Sequence, residues 1–188
     1  MEQTTTNTPK SKITILEHPM INIDKVFKYA CKNGLIETAK LLFDVKPNIY
    51  ISADNEYVFR WACKNGHLNI AKWLLEIKPT IYISANYEDA FISACAEGYF
   101  DMAKWLLEMK PTIDISCRSD GAFTWSCVNK HFEIAKWLLT IKRDIDVDEA
   151  FFFAALTDTW ILLSGCLKSK PQVNHHTKTL KNLALMVF

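Results

Sequence analysis

The chain has 188 residues, 49% of them hydrophobic, with 22 basic side chains against 21 acidic ones. That length suits one domain burying roughly two thirds of its unfolded surface, and the near balance of charge excludes a general attraction to nucleic acid or membrane, leaving only local patches. The opening MEQTTTNTPKSK lacks the apolar run of a signal peptide and no stretch makes a membrane span, so a cytoplasmic, non-secreted protein is expected, its six cysteines as thiols.

Residues 1–18 are polar and expected to be disordered. From about residue 20 the chain repeats itself. FKYACKNG at Phe27 returns as FRWACKNG at Phe59, FISACAEG at Phe91 and FTWSCVNK at Phe123, a step of 32 residues each time. A second element keeps the same step: AKLLFDVKPNIYIS at Ala39, AKWLLEIKPTIYIS at Ala71, AKWLLEMKPTIDIS at Ala103 and AKWLLTIKRDIDVD at Ala135. In the first element Phe59, Ala62 and Cys63 fall at i, i+3 and i+4, one face of a helix. An acidic residue opens each copy (Asp24, Glu56, Glu88, Asp120), where a helix dipole favours negative charge, and Gly66 ends the helix. The second element, from Leu68 to Ile77, places Leu68, Ala71, Leu74 and Leu75 on one stripe, then stops at Lys78 and Pro79, which predicts a second helix. The alternation in TIYIS reads as a short extended arm leading to a polar tip.

Two helices, a tight turn and an arm every 32 residues describe a solenoid in which no repeat buries its own apolar face and stacking does so. The expected class is an all-α repeat fold with short extended hairpin arms. Four repeats are read at about 20–52, 53–84, 85–116 and 117–148, within a domain spanning 19–148. A degenerate capping repeat follows at 149–168, where EAFFFAAL is out of register, and then a basic and finally apolar tail at 169–188.

NGHLNIAKWLLE, from Asn65 to Glu76, with the Gly66-His67 turn, the Leu74-Leu75 pair and the first-helix alanines Ala30, Ala62 and Ala94, resembles the ankyrin repeat, whose unit is about 33 residues. The resemblance covers about residues 20 to 148. More narrowly, ACKNGHL followed by AKWLLEIKPTI is similar to the ankyrin proteins multiplied in giant DNA viruses of amoebae, which implies a viral protein acting in a host cytoplasm. The Thr-Pro-Leu-His opening of the family's first helix is absent, and Lys-Pro stands where glycine follows the second helix. A tetratricopeptide array is the rival, but its period is about 34 residues and it lacks an extended segment.

Cys31, Cys63, Cys95 and Cys127 form a ladder. Stacked helices lie about 8 to 10 Å apart, too far for a disulfide or a zinc ion, so the ladder reads as small core residues. Trp73, Trp105 and Trp137 read as packing between repeats rather than a cofactor row. The resemblance gives His67 and His131 a turn-bracing role, and His175 and His176 are a pair lacking further metal ligands. No phosphate loop, GxSxG or HExxH is present. No catalytic residue, metal or cofactor is assigned, and a non-enzymatic monomer is expected.

Positions that differ among otherwise like copies mark a surface that packing does not constrain. On the first helix these run Lys25, Lys28, Tyr29, Lys32; then Tyr57, Arg60, Trp61, Lys64; then Asp89, Ile92, Ser93, Ala96; then Gly121, Thr124, Trp125, Val128. Their spacing makes one face, expected to be exposed. The resemblance places it, with tip residues Asp54, Asn55, Asn86, Tyr87, Arg118 and Ser119, on the concave binding side. The candidate partner-binding residues are therefore Lys25, Lys28, Tyr29, Lys32, Tyr57, Arg60, Trp61, Lys64, Tyr87, Asp89 and Trp125, facing a protein partner with an acidic or phosphorylated segment. Two alternatives stay open: an adaptor whose tail recruits a second partner such as ubiquitin-ligase machinery, and, ranked lower, a single-stranded nucleic-acid binder using the same cations and aromatics.

Overall fold

The computed structural model describes residues 22–150 apart from 143, 148 and 149. The disordered segment expected at 1–18, the tail at 169–188 and its His175 and His176 lie outside the described residues. So does the capping repeat, save for Ala150, which is helical and buried.

Eight helices are found among the described residues: α1 (Ile23–Lys32), α2 (Ile36–Val45), α3 (Ala53–Lys64), α4 (Leu68–Ile77), α5 (Ala85–Ala96), α6 (Phe100–Met109), α7 (Cys117–Val128) and α8 (Phe132–Ile141). The chain divides into two compact units between Ile81 and Tyr82. The first holds α1 to α4, the second α5 to α8, and each contains two helix pairs.

The core follows the apolar stripes. Phe27, Phe59, Phe91 and Phe123 are fully buried, as are the cysteines four residues after each of them. The cysteines are free thiols. Each buried phenyl contributes about 2 to 3 kcal/mol by transfer. Alanine between them lets the paired helix approach; in the fourth repeat Ser126 takes that place and donates its hydroxyl to the Ala122 carbonyl at 2.6 Å, with the Cys95 carbonyl near at 3.1 Å, so this buried hydroxyl is not stranded. The second-helix stripe is Ile70, Ala71 and Leu74 in α4, with the like residues in α6 and α8. Leu68 and Leu75, expected there from spacing, are only half-buried, because the face turned to the first helix centres on Ile70.

The tryptophans fill space between repeats. Trp73 of α4 lies 6.2 Å from Phe27 of α1 and meets Phe43 of α2 edge-on at 5.9 Å. In the second unit Trp137 of α8 packs at 6.3 Å from Phe91 and 5.2 Å from Phe100.

Each first helix ends in a left-handed residue followed by a six-to-one backbone bond, Leu35 N–H to the Ala30 carbonyl at 2.9 Å in the first repeat. Gly34 takes φ +78°, and a Cβ there would sit 2.8 Å from the His67 ring. The glycine thus serves both the turn and the neighbouring histidine. Asn65 and His67 in turn bond the Lys32 carbonyl at 2.6 and 3.0 Å, so His67 braces one turn against the next, the role the resemblance implied.

The arm differs from expectation. No strand is present among the described residues. Two successive turns replace it: Ile81 N–H bonds the Lys78 carbonyl, with Pro79 at the second position where its fixed φ fits, and Ala53 N–H or Cys117 N–H closes the next turn onto Tyr50 or Asp114. Ile49, Ile81, Ile113 and Ile145 are buried and anchor the arm. The alternation seen in sequence is an inward isoleucine beside an outward residue, joined in the first repeat by a second buried one, Ile51, and not a ladder.

Candidate protein-interaction face

The polar tip is built on unusual backbone. Asp54, Asn55 and Glu56 at the start of α3 have φ of 55°, 55° and 59°; Asn86, Tyr87, Glu88 and Arg118, Ser119, Asp120 repeat this at α5 and α7. A left-handed turn costs about 1 to 2 kcal/mol for each residue with a Cβ, so neighbouring groups must hold it. Its last residue is the repeating acid. Glu56, Glu88 and Asp120 are buried; Glu88 accepts from the Asp114 N–H at 3.4 Å and Asp120 from the Asp146 N–H at 2.9 Å. Lys142 reaches Asp120 at 3.8 Å, and in the first repeat Lys46 reaches Asp24 at 2.6 Å. The acids therefore tie the arm to the first helix, beyond the dipole role read from sequence. The signal was there: an acid and a lysine 22 residues apart in every repeat. In the third repeat Lys110 bonds the Ser84 hydroxyl instead.

In the first unit the tip is also pinned by the candidate face. Arg60 donates from Nε to the Asn55 carbonyl at 2.7 Å and from a terminal nitrogen to the Asp54 carbonyl at 3.2 Å. Lys28 pairs with the Asp54 carboxylate at 2.6 Å and lies 5.5 Å from the Tyr57 ring. Tyr57 and Trp61 lean together at 5.6 Å, and the Trp61 ring carries two ammonium groups, Lys32 at 4.0 Å and Lys64 at 5.2 Å. Lys25 and Tyr29 are exposed, Tyr29 at 62%. Structure thus gathers Lys28, Lys32, Tyr57, Arg60, Trp61 and Lys64 into one cluster, with Lys25 and Tyr29 on its α1 side.

The second unit departs from the expected exposed face. Ile92 is 5% exposed, Thr124 2%, and Gly121 is also buried. The cause is close packing of α5 on α7, which brings an Ile92 methyl within ordinary van der Waals reach of the Gly121 position, 3.8 Å from where a Cβ would sit. What stays open there is Tyr87 at the tip, 74% exposed, and Trp125, 44%. Arg118 bonds the Asn86 carbonyl at 2.8 Å and the Asp89 carboxylate at 3.5 Å, so Asp89 is held by a tip residue.

Burial governs the thiols: it pushes Cys31 up to about 12 and raises Cys95 as well, which keeps both protonated and unreactive. Among the described residues no group of three or more His, Cys, Asp or Glu side chains could hold a metal ion. No helix of the described residues is long and apolar enough to cross a membrane.

A family model described as ankyrin repeats (3 copies) matches residues 27–119. Residues 27–119 carry ankyrin repeats. Among solved structures, the chain is similar in fold to an ankyrin repeat family protein from Legionella pneumophila, with a TM-score of 0.63 and 24% identity, over 93% of this chain and 50% of that one. It thus spans about half the length of that protein, and the likeness concerns fold. No curated protein matches it. Ankyrin repeats are protein–protein interaction modules and typically non-enzymatic.

Proposed function

We propose that this chain is an ankyrin repeat protein, a non-enzymatic, monomeric module that grips a protein partner on the face formed by its first helices and tips, chiefly α1 and α3. The observation that carries the reading is the Trp61 cluster. An indole flanked by Lys32 and Lys64 beside an exposed Tyr29 offers the aromatic and cationic groups that dominate interfaces. The partner segment is acidic or phosphorylated. The cytoplasmic, host-directed viral setting rests on the sequence resemblance alone.

Base stacking would use the same groups, yet the cations here serve only two repeats of a nearly neutral chain, which supports protein over nucleic acid. The test is affinity capture from a eukaryotic lysate with the full chain beside Trp61→Ala/Lys64→Ala, shown to fold by circular dichroism. A protein retained by the native face and lost with the variant supports the reading. Equal retention, or none, ends it.

A further inference from the structure

We infer that the α1 and α3 face takes an extended peptide carrying carboxylates three residues apart, an assignment that rests on the protein-binding reading of the same face. The first argument is charge. Lys28 is neutralised by Asp54, but Lys25, Lys32 and Lys64 have no carboxylate partner among the described residues, and two of them crowd one indole. Ammonium groups gathered without counter-charge favour an anionic occupant.

The second argument chooses between anions. A single phosphate gathers its charge at one point, where an arginine fork or converging lysines hold it, whereas carboxylates spread along a chain can each meet one ammonium group. The one arginine of this face, Arg60, turns its guanidinium to the Asp54 and Asn55 carbonyls, where it holds the tip. What remains is the Lys32 and Lys64 pair at Trp61 and, two helical turns away on α1, Lys25, point charges on separate side chains suited to carboxylates spread along a chain.

The third argument is spacing. Lys25 and Lys32 stand seven residues apart on α1, a rise of about 10 Å. A peptide in the polyproline II form returns a side chain to the same side every third residue, about 9 Å on. Acidic residues at that interval meet successive ammonium groups, and the residues between them rest on Trp61 and Tyr57, whose rings are tilted together at 42°. Arg60 and Lys28 are then positioning residues, acting through the tip.

The experiment is fluorescence anisotropy of a labelled peptide of Glu-Pro-Ala triplets titrated with the full chain, beside a Gln-Pro-Ala peptide, a peptide with one phosphoserine, and an oligothymidylate. The Glu-Pro-Ala probe is expected to bind, the Gln-Pro-Ala probe not. Lys32→Gln/Lys64→Gln should weaken binding about tenfold, as expected for loss of two charge contacts and of their added steering, while Lys104→Gln on α6 changes it less than about twofold, its ammonium already paired with Asp101. Equal binding of the glutamine peptide, preference for the phosphoserine peptide or oligothymidylate, no binding of any probe, or indifference to the double variant would each overturn the inference. A lysate partner that still depends on Trp61 while the Glu-Pro-Ala probe fails would leave the protein-binding reading intact. Loss of both would remove both.

Discussion

The two units share a fold and differ in what they do with one stripe of the first helix. In the first unit it carries Lys28, Lys32, Tyr57, Arg60, Trp61 and Lys64, crossed by cation–π contacts and open to solvent on its α1 side. In the second the stripe is closed by Ile92, Gly121 and Thr124, leaving Trp125 and the Tyr87 tip outside. The interior is nearly the same in both: phenylalanine, alanine or serine, cysteine, then the second-helix Ala-x-x-Leu. Packing therefore fixes the repeat, and the outward first-helix positions stay open in one unit and close in the other.

The sharpest way to break the comparison is to exchange one position between the units. Arg60 and Thr124 occupy the same place two repeats apart. Thr124→Arg puts a charge where the native side chain is buried, and should lower unfolding free energy by about 3 kcal/mol or more, read by urea denaturation. The reverse exchange, Arg60→Thr, removes two bonds to the tip carbonyls from a partly exposed site and should cost about 1 kcal/mol. Equal costs would mean that the two faces are packed alike.

The interior should not distinguish the units. Cys31 keeps its proton up to about pH 12 in the folded chain, whereas an unfolded thiol loses it near 9.0. The folded state thus binds the extra proton between these values, so this contribution is complete below pH 9.0 and is lost as pH rises through the window. Cys95 is raised for the same reason, so Cys31→Ala and Cys95→Ala should each flatten the alkaline fall in stability between pH 8 and 10, relative to the native chain. An unchanged slope in both variants would contradict the burial account.

The smallest effect sharpens the tip. Lys28→Gln removes an ion pair with an exposed Asp54 and should cost no more than about 0.5 to 1 kcal/mol, shrinking as salt is added. A larger, salt-independent loss would mean that the left-handed turn depends on it.

The helices, their pairing and the buried Phe-Ala-Cys face were legible because a strict 32-residue step carries its own alignment: what recurs is what packs. His67 was legible through the family turn. The arm is ambiguous in sequence because Ile-Tyr-Ile alternation fits both a strand and two turns with inward isoleucines, and only the backbone bonds of Lys78 and Ile81 separate them. The left-handed tips escaped notice because nine of their residues are not glycine, so no residue type announced positive φ. The closure of the second unit was hidden for another reason. Variability marked Ile92, Gly121 and Thr124 as outward, but whether an outward position is covered depends on how near the adjacent first helix lies, which no single residue type in the sequence announces.

Under the proposed function, recognition resides on the first unit's open stripe and not on its sealed counterpart. Trp61 and Trp125 hold the same place in the repeat, so the direct test is calorimetric titration of the captured partner against Trp61→Ala and Trp125→Ala in the full chain. The account predicts that affinity falls about tenfold or more for Trp61→Ala, as for an interface hot spot, and stays within about twofold for Trp125→Ala, as for a near-neutral peripheral contact. Equal losses, or a loss confined to Trp125→Ala, would contradict it.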